Sequence, residues 1–243
     1  MPPAERPPGP VAFLDRDGTI NRAAAPGEYI ESWREFELLP RVPEAIRLLR
    51  EAGLRVVVVT NQRGIALGRM SAAAVADIHR RMSAELERLG APIDAVYCCP
   101  HELDSCDCRK PQPGMLRQAA RDLPGVDLAK CWMIGDSAID MEAGARAGCR
   151  RVLLRPEGAA EEGTVPVPDG GTVPVPGTVP VPGTAPLPDG GTVPVPGTVP
   201  LPGTVPLPGA VPLPVDHVAP SLWEAAEWVA ASATPAPPSQ AHR

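Results

Sequence analysis

Two acidic residues, Asp15 and Asp17, stand two positions apart in the segment DRDGT. The apolar run just before them, residues 11–14, predicts a buried strand that ends in a polar turn, and Gly18 allows the chain to turn there. Two carboxylates at this spacing can face one pocket, where one attacks phosphorus and the other moves a proton. An Asp-rich turn or a calcium loop would also fit this segment taken alone. Other residues must therefore decide between these functions.

Three further segments carry polar residues at the ends of predicted strands or ahead of a helix. Thr60 and Asn61 offer a hydroxyl and an amide to phosphate oxygens, or they cap the following turn. Lys110 supplies an ammonium group that can hold a transferring phosphoryl group, although a loop lysine is often only solvated. Asp136 and Asp140, in GDSAID, provide oxygen ligands for a hard cation. Together and in this order, the segments predict metal-dependent phosphoryl transfer.

A cluster of soft ligands lies in residues 98–108, which contain four of the six cysteines. The spacing C-x-H-x4-C-x-C suits a closed tetrahedral zinc site with four ligands: Cys99, His101, Cys106 and Cys108. A disulfide or chance clustering is the alternative. We leave three cysteines out of this site, one on the other face of a strand and two as buried apolar residues: Cys98, Cys131 and Cys149. A structural zinc would stiffen the loop that delivers Arg109 and Lys110.

Strand and helix patterns alternate along the chain and must position these groups. Apolar runs predict strands at residues 11–14, 54–62, 95–100, 130–137 and 149–156. Helical spacing predicts helices at residues 42–53, 71–90, 114–123 and 141–148. This alternation predicts an α/β fold with a Rossmann-like parallel sheet, helices on both faces and ligands at the carboxyl ends of the strands. The connections leave no room for a large cap domain, so short loops would select the substrate.

Residues 164–214 repeat a five-residue unit with proline at alternate positions, separated by glycine. The unit predicts polyproline II with glycine hinges. It serves either as a docking site for a proline-recognising partner or as a tolerated loop expansion, which we favour. The predicted organisation is a disordered start at 1–9, a catalytic core at 10–158, a repeat insertion at 159–214, a returning strand and helix at 215–232, and a disordered tail at 233–243.

Composition excludes several functions. The formal net charge is −6, whereas a general nucleic-acid binder needs a concentrated basic surface. No apolar run approaches the about 20 residues of a membrane span, and the start MPPAERPPGP lacks the pattern of a signal peptide. We therefore expect a cytoplasmic protein with no nucleic-acid or membrane partner. A monomer is expected because no large apolar surface pattern stands out.

The four segments DRDGT, TN, RKP and GDSAID resemble the motifs of the haloacid dehalogenase superfamily. This resemblance implies that Asp15 is the nucleophile and Asp17 the general acid and base. It further implies that Thr60 and Lys110 position the phosphoryl oxygens. Mg²⁺ would be bound by Asp15, the backbone carbonyl of Asp17 and Asp136, with Asp140 as a supporting carboxylate.

Within that superfamily, DRDGTIN, TNQRGIALG and CDCRKPQPGM resemble the family of D-glycero-D-manno-heptose 1,7-bisphosphate 7-phosphatases. Its members' usual G-I-A-R-G has Leu67 in place of arginine here. The zinc loop also resembles that of histidinol-phosphate phosphatases, so that substrate or another small sugar phosphate is the alternative. The residues expected to contact substrate are Asn21, Asn61, Arg63, Arg109 and Lys110. A hypothesis of another class is a catalytically vestigial scaffold that uses the repeat.

Overall fold

The computed structural model describes residues 9–25, 27–156 and 215–233, together with four short strands between them. Six strands form one parallel sheet: β1 Val11–Leu14, β2 Arg55–Asn61, β3 Ala95–Cys99, β4 Trp132–Gly135, β5 Arg150–Leu154 and β10 His217–Ala219. Their order across the sheet is β10-β5-β4-β1-β2-β3. The predicted parallel α/β sheet is therefore confirmed, and β1, which carries DRDGT at its carboxyl end, is a central strand.

In the described part of the chain, four α-helices lie between these strands and a fifth follows β10: α1 Val42–Glu51, α2 Ala72–Arg88, α3 Gly114–Asp122, α4 Ala138–Ala147 and α5 Leu222–Ala233. The predicted cap of α2 is present, since the Ser71 hydroxyl accepts from the Ala74 N–H at 3.0 Å. The connection from β2 to β3 consists of α2 and short loops. Among the described helices, none has the length and apolar character needed to cross a bilayer.

The alternation of side chains along β1 explains why helices lie on both faces of the sheet. Ala12 and Leu14 enter a core that also contains residues of α1, α2 and α5. Val11 and Phe13 enter a second core with residues of α3 and α4. Since all four β1 side chains are fully buried, the strand is held in place from both sides.

The chain after the repeat returns to the edge of the sheet. β10 pairs in parallel with β5, with His217 opposite Val152 and Ala219 opposite Leu154. α5 packs against α1 and adds Ala225 and other apolar residues to the first core. The predicted division into core, insertion and tail stays a prediction, because residues 1–8 and 234–243 lie outside the described residues.

Four three-residue strands are described within the repeat: β6 Thr164–Pro166, β7 Thr172–Pro174, β8 Thr184–Pro186 and β9 Thr192–Pro194. They pair antiparallel, with Val165 opposite Val173 and Ala185 opposite Val193. The expectation of polyproline II is thus wrong at these positions. Strand pairing is possible here because the residues between the prolines keep their N–H groups. The extended backbone of a strand also lies close to polyproline II in φ and ψ, so only a small change of conformation separates the two. The other repeat residues lie outside the described part of the chain.

Candidate active site

The DRDGT turn is held between the ends of β1 and β4. The Asp15 N–H donates to the Ile134 carbonyl at 3.0 Å, and the Arg16 carbonyl accepts from three following N–H groups. Gly18 has φ +82°, and a Cβ there would lie 1.9 Å from a carboxylate oxygen of Asp136. Glycine is therefore required both by the backbone conformation and by the close approach of Asp136.

Lys110 brings two of the predicted carboxylates together. Its Nζ lies 2.7 Å from Asp15 Oδ1 and 2.6 Å from Asp140 Oδ1, and it donates to the Val59 carbonyl at 2.8 Å. Burial lowers the pKa of Lys110, but the charges of Asp140 and Asp15 outweigh this effect and raise it overall. The ammonium group is thus kept charged beside the Asp15 carboxylate.

Three carboxylates, Asp15, Asp136 and Asp140, each place an oxygen within 4.8 Å of the others. Burial raises the pKa of Asp15 to about 7, against the opposing charge of Lys110. Asp136 lies at the exposed rim, yet the protein packed around it and the charge of Asp140 raise its pKa to about 6. The cluster therefore holds more negative charge than Lys110 alone neutralises, and its oxygen donors suit a hard divalent cation.

Asp140 faces the interior of this cluster. It is fully buried, pairs with Lys110, and accepts from the N–H and hydroxyl groups of Ser137 in a capping box at the start of α4. These contacts leave it suited to supporting Lys110 and the helix.

The predicted phosphate and substrate contacts at the end of β2 have protein partners. The Thr60 hydroxyl accepts from Gln62 Nε2 at 2.9 Å. The Asn61 side chain accepts from the Lys110 N–H and donates to the Lys110 carbonyl, both at 3.0 Å. Asn61 therefore anchors the backbone of the Lys110 loop to the end of β2, where sequence reasoning expected a substrate contact.

The other expected substrate contacts differ in their surroundings. Asn21 is fully buried, and its Nδ2 donates to Asp17 Oδ1 and to the Arg22 carbonyl. Arg63 forms an ion pair with Glu102. One guanidinium nitrogen of Arg109, Nη1, is buried without a hydrogen-bond partner among the described residues. Asn21 and Arg63 thus each have a side-chain partner, whereas one buried donor of Arg109 has none within the described residues.

The four predicted zinc ligands meet in space: Cys99, His101, Cys106 and Cys108. The distances between their sulfur and Nδ1 atoms include 3.2 Å for His101 to Cys108 and 3.6 Å for Cys99 to Cys106. A tetrahedral zinc site, with Zn–S bonds of about 2.3 Å, sets its ligand atoms about 3.5–4 Å apart. All six cysteines are free, so a disulfide does not account for the cluster.

Sequence reasoning missed three residues around Asp17. Arg16 stands between the two candidate carboxylates, Gln62 follows the Thr-Asn pair, and His79 lies in α2. Arg16 donates hydrogen bonds to Asp17 and His79, and Gln62 donates hydrogen bonds to Asp17 and Thr60. A signal existed for His79, since it falls four residues after buried Val75 and three before buried Met82.

Comparison with known proteins places this arrangement in a family. A model of the haloacid dehalogenase-like hydrolases matches residues 8–148. A protein of Mycobacterium bovis named D-glycero-alpha-D-manno-heptose-1,7-bisphosphate 7-phosphatase is 40% identical over 159 residues, covering 63% of this chain and 82% of that protein. One of Pseudomonas aeruginosa, named for the beta anomer, is 40% identical over 161 residues, covering 66% and 89%.

A solved structure gives the same result at the level of the fold. The crystal structure of D,D-heptose 1,7-bisphosphate phosphatase from B. bronchiseptica, complexed with magnesium and phosphate, is 40% identical. The match has a TM-score of 0.56 and covers 60% of this chain and 80% of that one.

Proposed function

This chain belongs to the haloacid dehalogenase-like hydrolases, and we propose that it removes the C7 phosphate of D-glycero-D-manno-heptose 1,7-bisphosphate through an aspartyl-phosphate intermediate. The observation that carries the reaction is the contact of Lys110 with Asp15 beside Asp136, at the carboxyl ends of β1 and β4. Relatives about 40% identical that are named as heptose bisphosphate phosphatases support the substrate, and they do not favour histidinol phosphate. The intact carboxylate and lysine groups speak against a vestigial scaffold.

Asp15 is assigned the attack on phosphorus. Its Oδ1 accepts from the Arg16 N–H at 2.7 Å and pairs with Lys110 at 2.7 Å. We therefore assign Oδ2 to the new bond with phosphorus. Since the Asp15 side chain is 14% exposed, a substrate can reach it from the carboxyl ends of the strands.

The donor set fits Mg²⁺, which would be held by Asp15, Asp136 and the backbone carbonyl of Asp17. Burial, together with the charges of the neighbouring carboxylates, raises the pKa values of Asp15 and Asp136, and a bound cation would offset both effects. When bound, Mg²⁺ supplies the charge that lets an anionic carboxylate approach an anionic phosphate. Asp140 is assigned a supporting role through Lys110 and Ser137.

Proton transfer is assigned to Asp17, and phosphoryl positioning to Thr60 and Lys110. Asp17 donates a proton to the leaving sugar oxygen as the P–O bond breaks, and later takes a proton from the water that hydrolyses the aspartyl phosphate. Gln62 Nε2 donates to both Asp17 Oδ2 and Thr60 Oγ1, at 2.9 Å each. The shared donor supports a common site for these two side chains.

A structural zinc is proposed for the cluster at the end of β3: Cys99, His101, Cys106 and Cys108. The mutual approach of the four ligand atoms and the free state of the cysteines support it. The metal would fix the loop that carries Arg109 and Lys110, and so would act on phosphate binding without touching the reacting atoms. Arg109, which is partly exposed in this loop, is the side chain we assign to the second phosphate.

Phosphate release with Mg²⁺ tests the proposed function. The substrates are both anomers of heptose 1,7-bisphosphate and histidinol phosphate, and the nearly isosteric Asp15→Asn variant is the control. We expect about a hundredfold preference for one heptose anomer, near 2.7 kcal/mol of transition-state discrimination. Preference for histidinol phosphate would overturn the substrate, and release that survives in Asp15→Asn would overturn the mechanism.

A further inference from the structure

The Asp17 carboxylate accepts five hydrogen bonds from three side chains. Arg16 donates from Nε and Nη2 to Oδ1 at 3.1 and 2.8 Å, and from Nη2 to Oδ2 at 2.9 Å. Asn21 donates to Oδ1 at 3.0 Å and Gln62 donates to Oδ2 at 2.9 Å. This set of donors fixes both the position and the rotation of the carboxylate.

Arg16 is itself fixed by its surroundings. Its side chain is fully buried, whereas that of Asp17 is 29% exposed. The remaining guanidinium nitrogen, Nη1, lies 3.1 Å from His79 Nε2. Because arginine only donates, this ring nitrogen must be the acceptor. Burial and the Arg16 charge lower the pKa of His79 to about 4, which agrees with a neutral ring.

The direction of the carboxylate follows from Gln62. Its Nε2 donates to Asp17 Oδ2 and to Thr60 Oγ1, so these two oxygens face the same nitrogen. Oδ2 accepts two of the five hydrogen bonds and Oδ1 accepts three. Oδ2 is therefore the oxygen suited to exchange a proton with a group bound near Thr60.

We propose that Arg16 and His79 are positioning residues, which hold the Asp17 carboxylate where it can protonate the leaving oxygen. This inference rests on the proposed function. His79 fixes Arg16, and Arg16, whose side chain is fully buried, fixes both oxygens of Asp17. The proposal assigns neither residue a contact with the substrate. A small displacement of a proton donor is costly, because proton transfer requires hydrogen-bonding distance to the leaving oxygen.

The effect of losing this positioning on kcat/KM depends on the leaving group of the substrate. A sugar or other alkyl oxygen leaves as an alcohol and needs the proton of Asp17 as its P–O bond breaks. A p-nitrophenyl oxygen leaves as a stable anion and needs little protonation. Loss of positioning should therefore lower kcat/KM for alkyl phosphates and leave kcat/KM for p-nitrophenyl phosphate almost unchanged. A loss of general structure would lower both.

Two variants of His79 form the test. His79→Leu removes the acceptor for Arg16, whereas His79→Gln keeps an acceptor near the position of Nε2. With Mg²⁺, we expect His79→Leu to lower kcat/KM for the heptose bisphosphate about tenfold and for p-nitrophenyl phosphate less than about twofold. We expect His79→Gln to restore the first value to within about twofold of wild type. Arg16→Lys, which keeps the charge and loses the fork of donors, should follow His79→Leu.

Thermal unfolding of each variant establishes that the compared proteins are folded, and Arg16→Lys provides the comparison if His79→Leu does not fold. Equal losses on both substrates would overturn the positioning role, and so would an increase for the alkyl phosphate, which would mean that the contacts hold Asp17 away from the reaction. If wild type shows no Asp15-dependent release, the proposed function fails and this inference fails with it. Equal losses in an active wild-type background overturn the inference alone.

Discussion

Arg63 and Glu102 form an ion pair that joins the segment after β2 to the proposed zinc loop. The guanidinium that sequence reasoning assigned to substrate thus already has a carboxylate partner. Both side chains are partly exposed, at 34% and 41%. A substrate phosphate that approaches Arg63 must therefore compete with Glu102, whose pKa is lowered by the Leu103 N–H and by Arg63.

Replacement of this carboxylate should strengthen substrate binding. In Glu102→Gln, Arg63 loses its anionic partner and becomes available to the second phosphate of a bisphosphate. A partly exposed ion pair is worth up to about 1 kcal/mol, so we expect KM for the bisphosphate to fall by at most about fivefold. Steady-state kinetics measure this, with Asp104→Asn in the same loop as the control. An unchanged KM, or an equal fall in the control, would contradict the prediction.

Gly18 and Gly27 provide a matched pair of substitutions. Their φ values are +82° and +83°, so alanine strains the backbone similarly at both. A Cβ at Gly18 would lie 1.9 Å from the Asp136 carboxylate, whereas a Cβ at Gly27 would have no atom of the described residues within 4 Å, its chain neighbours aside. We expect Gly18→Ala to weaken Mg²⁺-dependent activity at least about tenfold and Gly27→Ala to retain it. The rate of phosphate release, measured over a series of Mg²⁺ concentrations, distinguishes the two variants. Similar dependence on Mg²⁺ in both would refute the steric argument.

Zinc content should depend on the cluster and not on the neighbouring cysteine. We expect wild type and Cys98→Ser to contain about one zinc ion per chain by atomic emission, and Cys106→Ser to contain much less. Cys106→Ser should also unfold at lower temperature and lose activity, because the loop carrying Lys110 is no longer fixed. Retention of zinc by Cys106→Ser would exclude the proposed ligand set.

Protonation of His79 should lower the free energy of unfolding in acid. Its pKa is about 4 in the folded protein and 6.5 as the ordinary value, so the unfolded chain takes up the proton first. Its contribution is complete above pH 6.5 and is lost as the pH falls towards 4. Between pH 8 and 4.5 we expect a loss of about 2–3 kcal/mol. Urea unfolding should show a smaller loss in His79→Gln; an equal loss would mean that other groups titrate.

The sheet could be predicted because alternating apolar runs and amphipathic helices admit few arrangements. The same logic predicted that Asp15 and Asp136 would meet, since the carboxyl ends of parallel strands share one edge. Lys110, in the loop before α3, was expected there from the order of the motifs and the family resemblance. The partners of polar side chains could not be predicted in this way. His79 lies 63 residues from Arg16, and Glu102 lies 39 residues from Arg63. Such pairings depend on how helices and loops pack, which hydrophobic periodicity does not encode.

The parallel pairing of β10 with β5 has a consequence for how the gene can change. The sheet fixes both ends of the segment that connects β5 to β10, and the packing of α5 against α1 further stabilises the second end. Each doubling of the length of such a connection costs only about 0.6 kcal/mol of loop-closure entropy. Gain or loss of five-residue units by slippage during DNA replication would therefore hardly alter folding, and we expect a chain with more or fewer units to form the same sheet.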